Sequence, residues 1–317
     1  MTSLASLRYL VALNEHRHFG CAAEACHITQ PALSNALKAL EDELGTPIVR
    51  RGRSYAGLTP EGERVLASAQ RMLHEHALLR QELASSAGQP QGRLHIGVVP
   101  TAVPVAARLA ARLQARHPGI APVLRSMSSR DIEEGLESLS LDLGLGFAER
   151  LAAGHGAPRF ELHPQYEEHY YLVRRAARPG AQLALGAPLR WAEAARLPLC
   201  LLTPEMHNRS LVNAAFERAG AEVRPVMETD SVWTLALSVA AGDVASVLPG
   251  ALVGAVRSQG ELEALPLVEP EMRTALALAT WRQARPSRAL QAALALAAEP
   301  DWLAHAAAHS GALQPPG

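Results

Sequence analysis

The sequence predicts three parts: a small helical region with a β-wing, one long helix, and a larger α/β region built on parallel sheets. Three observations predict it. Short capped helices fill residues 1–59, an apolar stripe at alternating steps of four and three runs from Val65 to Leu83, and from Arg93 apolar strands alternate with helical segments. The last rhythm is that of βαβ units.

Taken in order, Leu4, Leu7, Leu10 and Val11 recur at helical spacing. His18-Phe19-Gly20 interrupts them, Ala22–Ala25 starts a second helix, and His27-Ile28 makes a turn. Thr29 stands at an N-cap position, and Pro31 falls in the first turn, where its missing N–H costs nothing. Leu33, Leu37, Leu40 and Leu44 share one side of this third helix, which ends at Gly45. Thr46–Thr59, with Pro47, two glycines and three arginines, suits a β-wing. Thr59-Pro60-Glu61-Gly62 caps a helix to about Ser86, whose stripe Val65, Ala69, Met72, His76, Leu79, Leu83 has coiled-coil spacing. The Gly- and Gln-rich stretch 87–92 is a linker.

Beyond it the expected strands are Leu94–Val99, Val123–Met127, Leu141–Phe147, Tyr170–Val173, Pro198–Leu202, Val223–Glu228, Val244–Leu248 and Thr274–Trp281. Helices are expected at Val105–Arg116, Asp131–Ser138, Ser210–Ala219, Val232–Ala241 and Ser287–Ala298, with a frayed tail from Ala304.

Thirty basic against 31 acidic residues give a net charge of −1, so bulk charge does not announce a nucleic-acid partner. The 48% hydrophobic content fits a soluble globular chain. No apolar run reaches the ~18 residues of a membrane span, and no basic-then-apolar leader opens the chain, so a cytoplasmic location is expected. Three cysteines, Cys21, Cys26 and Cys200, read as reduced thiols. His74-Glu75-His76 puts its histidines on different helix faces, and Cys21, Cys26 and His27 lack zinc spacing, so no metal site is expected. With no Gly-x-Ser-x-Gly or His-Glu-x-x-His, no catalytic residues are assigned and an enzyme is not expected.

Two short helices, a tight turn and a capped third helix form a helix-turn-helix, whose third helix enters the major groove of double-stranded DNA by its N-terminal residues. Those residues are Thr29, Gln30, Pro31, Ser34, Asn35 and Lys38. Gln30 can pair with an adenine edge, Ser34 and Asn35 can reach a base or phosphate, and Lys38, the only lysine, can meet guanine or phosphate. Ser34, Lys38 and Glu41 lie opposite the leucines, a polar face left free for DNA. Arg50, Arg51 and Arg53 of the wing can neutralise phosphates.

The stretch Phe19-Gly20-Cys21-Ala22-Ala23-Glu24-Ala25-Cys26-His27-Ile28-Thr29-Gln30-Pro31-Ala32-Leu33-Ser34, followed by Leu40-Glu41-Asp42-Glu43-Leu44-Gly45 and Leu58-Thr59-Pro60-Glu61-Gly62, resembles the signature of LysR-type transcriptional regulators. It departs from that pattern at Val49, where the wing usually has Phe, and at Gly57, where a basic residue often stands. The resemblance implies a winged helix-turn-helix (1–59), a dimerising linker helix and hinge (60–89), and an effector domain like type-2 periplasmic binding proteins (90–317). Its subdomain I would be about 90–162 and 267–300, and its subdomain II about 163–266. It also implies homodimers through the linker, homotetramers on bent promoter DNA, and RNA polymerase as a further partner.

In doubly wound sheets, ligands sit at strand C-termini near helix N-termini. The loops meeting that description bear Thr101, Ser126, Ser128, Ser129, Thr203, His207, Asn208, Thr229 and Ser231, and the resemblance brings Phe147 close. Taken singly, each hydroxyl is better explained as a helix cap; together they suit a small carboxylate, down to the size of formate, with no cofactor. The alternatives are a thiol-based redox sensor, for which Cys200 has no partner cysteine in the same region, and a solute-binding protein or enzyme of the same α/β fold.

Overall fold

The computed structural model describes residues 3–50, 55–84, 89–153 and 158–310. The chain divides into two compact units, the first formed largely by Met1–Gly88 and the second by the remainder.

In the first unit, α1 (Leu4–His16), α2 (Phe19–Ala25) and α3 (Gln30–Leu44) are followed by the long α4 (Pro60–Ala84). Local signals set these ends. The Thr29 hydroxyl accepts from the Ala32 N–H, and Gly45, at φ 67°, returns its N–H to the Glu41 carbonyl. Leu7, Leu10, Leu13, Leu33, Leu37 and Leu40 form the core with Ile48, Leu58 and Ala69. A single bridge, Val49 to Leu58, closes the base of the wing. Thr59 ties that base to α4: its hydroxyl donates to the Pro47 carbonyl at 2.7 Å and accepts from the Gly62 N–H at 2.9 Å. At Gly62 a β-carbon would lie 2.1 Å from the Ile48 carbonyl oxygen, so only glycine lets the helix pass this close. The α4 stripe divides: Ala69 is spent on the core, while Met72, Leu79 and Leu83 are exposed.

The second unit begins with β1 (Gly92–Val98), a 3₁₀ turn at Pro100–Ala102, α5 (Val103–Arg116), β2 (Ile120–Ser126), α6 (Ser129–Glu137), β3 (Leu143–Phe147) and α7 (Ala148–Ala152). The long β4 (Phe160–Arg175) leads to β5 (Ala184–Leu185), β6 (Leu189–Arg190), α8 (Trp191–Ala194), β7 (Leu199–Leu202) and α9 (His207–Arg218). Then come β8 (Met227–Thr229), α10 (Val232–Ala241), β9 (Ala245–Pro249), α11 (Gly250–Ala255), β10 (Leu262–Val268), β11 (Arg273–Trp281), α12 (Arg288–Ala297) and α13 (Pro300–Ser310).

The sheet order is β2-β1-β3-β11-β4-β9-β7-β8, with β10 also on β4. Parallel pairing, as expected from the βαβ rhythm, holds for β1 with β2 and β3 and for β7 with β8 and β9. The middle is antiparallel instead, because β11 returns between β3 and β4. The strand β4 joins two lobes. Its residues Phe160–His169 pair with β11, whereas Tyr170–Val173 pair with β9 and Tyr171–Arg175 with β10. One core packs β1, β3 and β11 with α5, α6, α12 and α13; two others sandwich β4, β7 and β9 between α10–α11 and α8–α9. Ala304–Ser310 is helix, not a frayed tail, since α13 buries Trp302, Ala306 and Ser310.

Candidate functional site

The first candidate surface is the start of α3. Thr29, Gln30, Pro31, Asn35 and Lys38 are exposed and Ser34 half-buried, while Leu33 and Leu37 face the core. Glu41 departs from the free polar face expected of it. Its Oε1 accepts from the Ile48 N–H at 2.7 Å and the Val49 N–H at 3.0 Å, pinning the base of the wing to α3. Arg50 turns its Nε to the Leu58 carbonyl at 2.8 Å, so part of its guanidinium braces the wing. Arg51 and Arg53 lie outside the described residues.

The second is a cavity of about 300 Å³ between the two lobes of the α/β unit. Three helices begin at it: Thr101 precedes α5, Ser129 opens α6 and His207 opens α9. Such termini present unpaired N–H groups and the positive ends of helix dipoles. Its walls are Val99, Pro100, Phe147, Leu202 and Met206, with the polar groups Thr101, Ser128, Ser129, Arg130, Arg150, Glu205, His207 and Asn208.

The expected hydroxyls fall into two groups. Thr101 is 2% exposed, and neither its Oγ1 nor the Ser129 Oγ makes a hydrogen bond among the described residues. A buried hydroxyl without a partner costs free energy that a ligand can recover. Ser128 lines the cavity but is already used, donating to Asp131 Oδ2 at 2.7 Å and accepting from its N–H. Ser126, Thr203, Thr229 and Ser231 are not in the lining. Ser126 ends β2 on an exposed edge, and the Thr203 Oγ1 is buried without a hydrogen-bond partner among the described residues, outside the cavity lining. Thr229 accepts from the Ser231 N–H, and Ser231 caps α10 through the Thr234 N–H, so for these two the cap is what the hydroxyl does.

His207 reaches across the cleft, its ring edge-on to Phe147 at 4.8 Å and its Nε2 3.3 Å from Glu149 Oε1. Asn208 donates from Nδ2 to the Tyr170 hydroxyl at 3.1 Å. Arg130 and Arg150, which the sequence reading passed over, pair with Glu134 and Glu133. Arg150 sits on the five-residue α7, where no periodic pattern marks it. Glu168 on β4 is fully buried; among the described residues its Oε1 accepts a long 3.4 Å contact from the Ala251 N–H and its Oε2 has no partner. Burial holds this carboxyl well above the usual range, so it stays protonated.

Both surfaces coincide with family models. Residues 4–63 match the bacterial regulatory helix-turn-helix protein, lysR family, and residues 87–300 match the LysR substrate binding domain. The chain belongs to the LysR family. It is therefore a DNA-binding transcriptional regulator with an effector domain, a family of regulators and not of enzymes. Among curated relatives, the DNA-binding transcriptional dual regulator OxyR of Escherichia coli K12 is 33% identical over 292 residues, 90% of this chain and 91% of that one. The probable HTH-type transcriptional regulator LrrA of Synechococcus elongatus is 30% identical, over 78% of this chain and 81% of that one. Among solved structures, a full-length OxyR from Pseudomonas aeruginosa superposes with a TM-score of 0.67 at 28% identity, covering 96% of this chain and 98% of that one. CbnR in complex with its target DNA shares the fold, with a TM-score of 0.62 at 20% identity, over 93% of this chain and 98% of that one.

None of the three cysteines of this LysR-family chain lines the cavity. Cys21 and Cys26 belong to α2 and its cap, and Cys200 is fully buried on β7, where burial pushes its thiol up. No helix is long and apolar enough to cross a membrane, and no group of three metal-ligating side chains occurs among the described residues.

Proposed function

We propose that this regulator reads promoter DNA with Gln30, Ser34, Asn35 and Lys38, supported by wing phosphate contacts, and responds to a small acid held in the inter-lobe cavity. The observation that carries the effector reading is the meeting of three helix N-termini with two unpartnered hydroxyls, Thr101 and Ser129, at one cavity. Helix N-termini favour an anion, and the hydroxyls give it specific donors. The volume of about 300 Å³ is at the lower end for ligand pockets and equals roughly ten water volumes. That favours an acid of up to about ten heavy atoms over formate, which leaves most of the space unfilled. The exposed Met72, Leu79 and Leu83 of α4 support pairing of two linker helices in a homodimer, two of which make a tetramer in the cytoplasm.

A thermal-shift screen of small carboxylates tests this, with Thr101→Val/Ser129→Ala as the control variant. The expected result is a ligand-dependent shift in the unaltered protein and none in the variant; an equal shift in both moves the site elsewhere.

A second reading has its own observation: the relatives include hydrogen peroxide-inducible genes activators, one of them 30% identical over 90% of this chain. Peroxide sensing by the effector domain requires a thiol there that oxidant can reach, whereas the exposed Cys21 lies in α2 of the helix-turn-helix unit. Cys200 is buried away from the cavity, which favours the small-acid reading.

A further inference from the structure

We propose that Asn208 reads a hydrogen-bond donor on the effector, so the acid this cleft takes is one that also bears a hydroxyl group. The inference rests on the small-acid reading of the cavity. Asn208 is the second residue of α9, 6% exposed, and lines the cavity wall. Its Nδ2 donates to the Tyr170 hydroxyl at 3.1 Å, and that hydroxyl lies 3.1 Å from Thr274 Oγ1. Tyr170 and Thr274 are themselves buried, at 2% and 5%. Burial raises the Tyr170 hydroxyl far above its ordinary range, so the phenol stays protonated and shares a hydrogen bond with Thr274 in which either oxygen can donate.

One of the two amide N–H groups is thus committed to the wall. On this reading its carbonyl oxygen is the acceptor turned toward the cavity that Asn208 lines. Thr101 and Ser129 supply the opposite chemistry, hydroxyl protons suited to a carboxylate. A plain carboxylate has only acceptors; it satisfies the hydroxyls and leaves the Asn208 carbonyl unanswered. A hydroxy acid satisfies both. Tyr170 and Thr274 act through Asn208 and are positioning residues.

The test uses the full chain and calorimetric titration with matched pairs: lactate and propionate, 3-hydroxybutanoate and butanoate, mandelate and phenylacetate. Within a pair the hydroxy acid binds about tenfold tighter, the worth of one well-placed hydrogen bond. Asn208→Ala removes that preference and leaves the parent acid within about twofold. Tyr170→Phe weakens the preference without abolishing binding. Should Asn208→Ala fail to fold, Thr274→Val breaks the same chain further from the cavity and must also reduce the preference. Equal binding within every pair overturns the role of Asn208 and leaves the small-acid reading standing, as does a preference that survives Asn208→Ala. Tighter binding of 3-aminobutanoate than of 3-hydroxybutanoate assigns the donor to an ammonium near Glu205 and overturns the hydroxyl. Binding of no acid at all overturns both readings.

Discussion

Removing the Glu41 carboxylate should loosen the base of the wing without disturbing the rest of the fold. In Glu41→Ala, the N–H groups of Ile48 and Val49, held at 2.7 and 3.0 Å, lose a charged acceptor. Ile48 is 1% exposed, so its N–H is poorly placed to find water. Hydrogen bonds to a charged partner contribute about 1.5–3 kcal/mol each, and partial solvent exposure argues for the low end, giving about 2–3 kcal/mol for the pair. As a local opening equilibrium, that is about a 30- to 160-fold increase in amide exchange across residues 46–50. Glu41→Gln keeps a neutral acceptor and should cost about 1 kcal/mol, roughly fivefold. Hydrogen-exchange mass spectrometry reads both, with exchange in α10 as the internal reference. Exchange at 46–50 that changes by less than about threefold in Glu41→Ala would refute the anchoring argument.

Three further outcomes follow from the same geometry. Gln30→Ala and Lys38→Ala should each weaken promoter binding about tenfold in a gel shift while leaving the melting temperature nearly unchanged, because both side chains are exposed; unaltered affinity in both would move the DNA contact elsewhere. Glu168→Gln should stabilise the protein increasingly with pH. The buried acid keeps its proton when folded, whereas the unfolded chain releases it above about 4.3, so native stability falls as pH rises from there toward the raised folded value, and glutamine removes that fall. A gap in melting temperature between the two proteins that is constant from pH 4 to 8 would contradict it. Cys200→Ser should leave regulation intact under peroxide, and a lost response in a reporter assay would revive the thiol reading.

What the sequence disclosed was set by the range of each interaction. Thr29, Pro31 and Gly45 mark the ends of α3 because caps act within one turn. Glu41, expected on the polar face left free for DNA, anchors the wing instead, because its partners come seven and eight residues later, after a reversal of the chain. The α/β rhythm was legible wherever strands are apolar. The first half of β4 was not, since Pro164, Glu167, Glu168 and His169 hide a strand that is nonetheless paired along its length. α13 looked like a weak Ala- and His-rich tail; its Trp302 is buried, with Nε1 donating to Gln165 Oε1 at 2.8 Å, a partner 137 residues away. Of the hydroxyls expected to bind effector, those of Thr101 and Ser129 have no partner among the described residues, whereas Ser128, Thr229 and Ser231 engage backbone N–H groups. All five are alike in sequence, and only the fold distinguishes them. Arg150 and the Tyr170–Asn208 contact join segments with no local signal between them.

On the proposed function, a small acid in the inter-lobe cavity changes how this LysR-family regulator holds its promoter. The most direct measurement is a DNase footprint of the full chain on its own promoter, with and without the acid that gives the largest thermal shift. The expected footprint has a length or hypersensitive bend that changes with the acid in the unaltered protein and stays fixed in Thr101→Val/Ser129→Ala, with promoter affinity retained in both. The same acid-dependent change in the variant, or none in the unaltered protein, would contradict it.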